Sequence, residues 1–154
     1  MGRLRPAVPA GIILVSVGGT EKSAIFRGTK MAKIMLIRGV PGSGKSTMAR
    51  KMAGYKHIES DMFLYDESGV YLYTPERVEV AHKKCIELTR SAMETGIDIV
   101  VSNTFTRMSE MQPYIEMAEE FGYTVDQIIA DGNYQNVHNI PDDIVDAMRN
   151  RFEF

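Results

Sequence analysis

The sequence predicts a three-layer α/β/α domain around a short, mostly parallel sheet, and three observations carry that prediction. Short apolar runs, Lys33-Ile34-Met35-Leu36-Ile37 and Ile99-Val100-Val101 among them, have the continuous character of strands buried on both faces. Stretches with helical spacing separate these runs, and that alternation gives parallel pairing through crossover helices. Between the first strand and the first helix stands Gly39-Val40-Pro41-Gly42-Ser43-Gly44-Lys45-Ser46, a full match to the phosphate-binding pattern G-x-x-x-x-G-K-[ST] in the context the pattern requires.

The chemistry of that loop follows from its residue types. Its glycines let the backbone curl until successive N–H groups point inward and cradle a phosphate at the N-terminus of the next helix. Lys45 is expected to reach the β- and γ-phosphates, and Ser46 to give its hydroxyl to Mg²⁺. Gly39, Val40, Pro41, Gly42, Ser43, Gly44, Lys45, Ser46 and Thr47 are therefore the candidate nucleotide-binding residues, with ATP or GTP as ligand. The architecture this implies is the P-loop NTPase type.

Composition bounds the rest. The 154 residues suffice for one domain with a proper core, and 44% hydrophobic with 25% charged residues is ordinary for a soluble globule. A net charge of −2 argues against a chain held to nucleic acid by overall positive charge, while leaving open a local basic groove and nucleic acid as a transient substrate. The single cysteine, Cys85, lies in an apolar helical stripe and reads as a small buried hydrophobe. With no disulfide to make and no Cys/His cluster at metal-ligand spacing, a reducing cytoplasm is the expected setting. No stretch approaches the roughly 20 apolar residues that span a bilayer, so no membrane partner is expected.

Taken in order, residues 1–30 precede the loop's strand and read as an appendage, disordered or the product of an upstream start, in which residues 11–17 at most add an edge strand. The catalytic-type domain is expected over 31–154. Gly18-Gly19-Thr20-Glu21-Lys22-Ser23 echoes a phosphate loop but lacks the glycine before its lysine, so it reads as a turn. A helix over 46–53 stops at Gly54. The strand 55–59 then delivers the chain to Ser60-Asp61, and residues 63–73 read as a turn or small hairpin. Thr74 caps a long helix with Pro75 at its first position and Gly96 as terminator. After the strand 98–104, Ser109 and Gln112 are spaced as a capping box with Pro113 in the first turn of a helix that Gly122 ends. A last strand over 123–130 precedes a helix opened by Pro141-Asp142-Asp143, with Arg149 and Arg151 in its last turn.

Asp61 is the candidate catalytic carboxylate beside Lys45. It follows the strand after the P-loop helix, and in open α/β sheets ligands lie beyond the carboxyl ends of strands. From there it can accept a hydroxyl proton near the γ-phosphate; the alternative role is a helix-capping Asp. At the end of the 98–104 strand, where an acidic residue would serve the metal, Asn103 stands instead and is expected to reach Mg²⁺ through water. Arg38, Arg107, Arg149 and Arg151 are the cations available for the transition state; for the last two, a role as C-terminal helix charges is favoured.

With these residues in view, the chain from Lys33 to Phe152 resembles the kinase domains of the polynucleotide 5′-hydroxyl kinase family and their small phage-encoded ATP-binding relatives. The resemblance rests on the loop, on Ser60-Asp61-Met62-Phe63, on Gly69-Val70-Tyr71 with Ala81-His82, on Ser102-Asn103-Thr104-Phe105 and on Asn136-Val137-His138-Asn139-Ile140-Pro141. It implies Lys45 and Ser46 as nucleotide and magnesium residues and Asp61 as general base. The chain departs from the family at Leu64, where an arginine holds the acceptor phosphate, at Asn103, where an acid stands, and at Tyr134-Gln135, where a lid carries arginines. The expected function is transfer of the γ-phosphoryl group of ATP to a hydroxyl acceptor, namely a polynucleotide 5′-OH, a nucleoside or another small molecule. The alternatives are a non-catalytic nucleotide-binding module, or a weak hydrolase whose arginine comes from a partner.

Overall fold

The computed structural model describes residues 12–16, 31–134 and 138–154, with side chains from Met31 onward. The expected turn over 18–23 and the positions Gln135, Asn136 and Val137 lie outside the described residues.

Within them the strands are β1 (Ile12–Ser16), β2 (Lys33–Arg38), β3 (Lys56–Ile58), β4 (Ile99–Asn103) and β5 (Thr124–Ala130), and they form one sheet in the order β1-β5-β2-β4-β3. β2, β3, β4 and β5 are parallel, and β1 adds antiparallel to the β5 edge, Ile12 opposite Ala130. The helices are α1 (Lys45–Arg50), α2 (Pro75–Glu94), α3 (Met108–Phe121) and α4 (Asp142–Asn150), with a 3-10 turn at Ser60–Phe63.

Strand alternation sorts the core into two layers. Ile34 and Leu36 of β2 and Ile99 and Val101 of β4 point to the face covered by Cys85, Ala92 and Met93 of α2 and by Met111, Tyr114 and Met117 of α3. Ile37 and Val100 point to the other face, against Ala49, Met48 and Met52. Burial on both sides explains why these strands read as unbroken apolar runs. Cys85 is fully buried and packs as a hydrophobe.

The helix ends follow from local chemistry, with two corrections. Thr74 accepts a hydrogen bond from the Arg77 N–H at 3.2 Å, as its position before Pro75 predicts. The capping box of α3 does not use Ser109 and Gln112: α3 opens two residues earlier, and Glu110 Oε2 accepts from the Arg107 N–H at 3.0 Å. Pro113 accordingly falls in the second turn of the helix and not the first. The P-loop helix is also shorter than expected, closing at Arg50 before a turn to Gly54, whose φ of +82° suits glycine.

Candidate functional site

The carboxyl ends of β2, β3, β4 and β5 share one edge of the sheet, and a cleft of about 1020 Å³ opens there. The P-loop from β2, Ser60-Asp61 from β3, Asn103 from β4 and Asp131-Gly132 from β5 all line it. Parallel strands bring these segments together because every strand runs toward the same edge.

The loop is held in its cradle by its own backbone and by its neighbours. Gly39 N–H donates to the Thr104 carbonyl at 3.1 Å, and Gly42 and Gly44 take φ of +82° and +90°. A Cβ on Gly39 would lie 2.2 Å from Ser43 Oγ and 2.8 Å from the Ala130 carbonyl, so no side chain fits. From the far side, Gly132 N–H donates to Ser43 O and Tyr134 N–H to Gly42 O, at 3.1 and 2.8 Å. Tyr134 lays its ring over the loop, 3.0 Å from a Cβ built on Gly44, while remaining 70% exposed. Pro41, Gly42, Ser43, Gly44, Lys45, Ser46 and Thr47 line the cleft; Gly39 and Val40 form the base of the loop.

Lys45 is only 8% exposed. Burial lowers its pKa, and the negative charges of Asp61 and Glu59 oppose that shift and favour the ammonium. Asp61 faces the same cleft as Lys45 from the 3-10 turn. Its Oδ1 accepts from Tyr71 Oη at 2.8 Å, and its Oδ2 lies 3.6 Å from His138 Nε2. Tyr71 stacks on His138 at a centroid distance of 4.2 Å, and Tyr65 meets Tyr71 edge-on at 5.4 Å. Burial and the Asp61 charge push the Tyr71 hydroxyl pKa up, so it stays a donor.

Sequence reasoning missed Glu59. Its Oε2 accepts from Ser46 Oγ at 2.7 Å and Ser102 Oγ at 3.0 Å, and lies 3.3 Å from His57 Nε2. Burial would raise its pKa, but hydrogen bonds from His57, Ser46 and Ser102 outweigh it and hold the carboxyl down at about 2. A carboxylate at the end of a strand beside Ser60-Asp61 was visible; its reach to the P-loop serine depends on the β3–β4 register. Asn103 is 2% exposed and its Oδ1 accepts from both the N–H and the hydroxyl of Ser60, each at 2.8 Å. It fastens the start of the turn that carries Asp61.

The candidate arginines separate. Arg38 is 1% exposed and points away from phosphate chemistry: Nε donates to Phe105 O at 3.0 Å, Nη1 to Gln127 Oε1 at 3.1 Å and Nη2 to Glu153 O, with Phe152 packed 4.8 Å below. Arg107 caps α3 at the surface, and Arg149 pairs with Asp146. Arg151 lines the cleft, its Nε donating to Thr106 Oγ1 at 3.2 Å, and exposed Arg50 at the end of α1 lines it too. Leu64 is buried in the cleft wall.

Four similarities to known proteins bear on this chain. The family model AAA_33, described as "AAA domain", matches residues 34–132. PM0531 of Pasteurella multocida, named as an uncharacterized protein, is 29% identical over 135 residues, spanning 77% of this chain and 75% of that one. A candidate bifunctional polynucleotide kinase/RNA ligase of Autographa californica nuclear polyhedrosis virus is 30% identical over 106 residues, 59% of this chain but only 15% of the viral one. The crystal structure of a gluconokinase from Sinorhizobium meliloti superposes with a TM-score of 0.58 at 20% identity, covering 82% of this chain and 78% of that one, which shows a shared kinase-like fold.

Proposed function

The chain belongs to the AAA_33 family of P-loop AAA domains, and on the geometry of its cleft we propose that it transfers the γ-phosphoryl group of ATP, or GTP, to a hydroxyl acceptor. The observation that carries this reading is the placement of Asp61 in one cleft with Lys45 and the P-loop. A P-loop alone binds phosphate; a carboxylate across from it gives the acceptor hydroxyl somewhere to send its proton. As the acceptor oxygen bonds to the γ-phosphorus, the bond from phosphorus to the β–γ bridging oxygen breaks, Asp61 takes the hydroxyl proton, and ADP departs. Tyr71, donating to Oδ1, and His138, 3.6 Å from Oδ2, orient the carboxylate for the acceptor. Lys45 supplies fixed positive charge to the phosphates, where a buried cation acts more strongly than in water.

The donor set beside the loop suits magnesium, which takes hard oxygen ligands, few of them from protein. Ser46 would hold it directly, while Asn103, its amide oxygen accepting from Ser60, would brace the turn beside it; when bound, the ion would supply charge neutralisation at the phosphates.

A nucleic acid end is the acceptor that the viral relative supports; a nucleoside or another small hydroxyl compound is the acceptor that Leu64 favours, since its side chain carries no charge for a second phosphate. A second reading, a nucleotide-binding module without transfer, is favoured by the arginines: Arg38, Arg107 and Arg149 are each engaged away from the cleft. The test is incubation with Mg·ATP labelled at the γ-position and a panel of 5′-hydroxyl oligonucleotides, nucleosides and sugars. Transfer to one acceptor class, removed by Asp61→Asn, supports the kinase; ATP binding with no acceptor labelled supports the binding module.

A further inference from the structure

We propose that Glu59 is the carboxylate through which this chain anchors the magnesium ion of its nucleotide, so that the acidic role expected at the end of β4 is carried by the end of β3. This rests on the reading of the cleft as a nucleotide site.

Three observations support the assignment. First, Glu59 Oε2 and Ser46 Oγ are 2.7 Å apart. A serine hydroxyl that donates its proton to a carboxylate keeps its lone pairs for a cation, and one carboxylate plus phosphate oxygens is the protein share magnesium ordinarily takes. Second, the alternatives at the end of β4 are occupied or neutral. Asn103 spends its amide oxygen on Ser60, and Ser102 donates to Glu59 at 3.0 Å. Third, two other carboxylates of the cleft are engaged elsewhere: Asp61 by Tyr71 and His138, and Glu110 by the N–H of Arg107 and the hydroxyl of Thr106.

The support around Glu59 is what an ion-anchoring group needs. His57 Nε2 lies 2.7 Å from Ser102 Oγ and 3.3 Å from Glu59 Oε2, so two residues from neighbouring strands fix the carboxylate against the P-loop helix. Outer hydrogen bonds of this kind orient a ligand and raise its affinity. The register that pairs Ile58 with Val101 sets this triangle, because it brings Glu59, the residue just past β3, level with Ser102 inside β4.

The experiment is calorimetric titration of the full chain with ATP, once in EDTA and once in magnesium, together with the electron paramagnetic resonance spectrum of its Mn·ATP complex. In the wild type, magnesium should tighten ATP binding. Glu59→Gln should bind ATP in EDTA as the wild type does, lose about ten-fold or more of the magnesium-dependent gain, and give an altered manganese spectrum. If the glutamine variant melts early, Glu59→Asp is read instead, with a gain between those of the wild type and the uncharged site. An undiminished gain in these variants overturns the proposal, as does an equal loss of affinity with and without metal, which would mark Glu59 as a purely structural residue. A wild type that binds no ATP in either buffer overturns the nucleotide reading itself.

Discussion

Tyr71 Oη donates a 2.8 Å hydrogen bond to Asp61 Oδ1, tying the hairpin that follows the 3-10 turn to the carboxylate at the centre of the cleft. The hairpin is itself fixed by the Tyr65–Tyr71 bridge and by Asp66, whose Oδ1 accepts from the N–H groups of Ser68 and Val70 at 2.8 and 2.9 Å. Losing one such bond to a charged acceptor is worth about 1.5–3 kcal/mol where the geometry matters. Tyr71→Phe should therefore slow phosphoryl transfer about ten-fold or more through kcat, with the ATP dissociation constant unchanged. A matched fall in ATP affinity would assign Tyr71 to the nucleotide half of the cleft.

Gly39 and Gly54 offer a contrast in how glycine is used. A Cβ at Gly39 collides with Ser43 Oγ and the Ala130 carbonyl, whereas at Gly54 nothing lies within 4 Å and only the φ of +82° is at stake. Gly39→Ala should abolish ATP binding and lower stability by about 1–3 kcal/mol from overpacking. Gly54→Ala should cost about 1 kcal/mol and leave binding intact. Denaturant unfolding with parallel calorimetry separates the two.

Arg38 and Arg151 should divide stability from chemistry. Arg38 is buried, donating to Phe105 O, Gln127 and Glu153 O; Arg38→Leu strands those acceptors and should cost about 3 kcal/mol of stability. Arg151 reaches the cleft from the end of α4. Arg151→Ala should lower the transfer rate by at least ten-fold while the melting temperature changes little. Equal melting temperatures for wild type and Arg38→Leu would contradict the structural role of Arg38.

Much of this division was out of reach of the sequence. The strands, their order along the chain, the P-loop, the Thr74 cap and the position of Asp61 were legible because each depends on local spacing. Which arginines line the cleft was not, since Arg38 closes an apolar strand and only packing against Phe152 and the tail turns its guanidinium inward. Glu59 was hidden for the same reason: its role comes from strand pairing that sets β3 beside β4. The Ser109–Gln112 capping box was misplaced because Glu110, two residues nearer, reaches back to Arg107 N–H.

The depressed pKa of Glu59 gives stability a pH dependence. A carboxyl held at about 2 in the folded chain and 4.5 when free contributes its full stabilisation above about pH 4.5 and loses it as the pH falls toward 2. The size is on the order of 2 kcal/mol after solvent screening at the cleft mouth. Wild type and Glu59→Gln should differ in unfolding free energy by about that amount at pH 5, and the gap should close toward pH 2.5. A gap that stays constant would show that Glu59 is not ionised by its hydrogen bonds to Ser46, Ser102 and His57.

The most direct measurement is single-turnover transfer from γ-labelled Mg·ATP to the best acceptor of the panel, for wild type and Asp61→Asn at matched ATP occupancy. With Asp61 as the general base opposite Lys45, the asparagine variant should bind ATP like the wild type and transfer about 10² to 10⁴ times more slowly. Equal single-turnover rates in the two proteins would contradict the account.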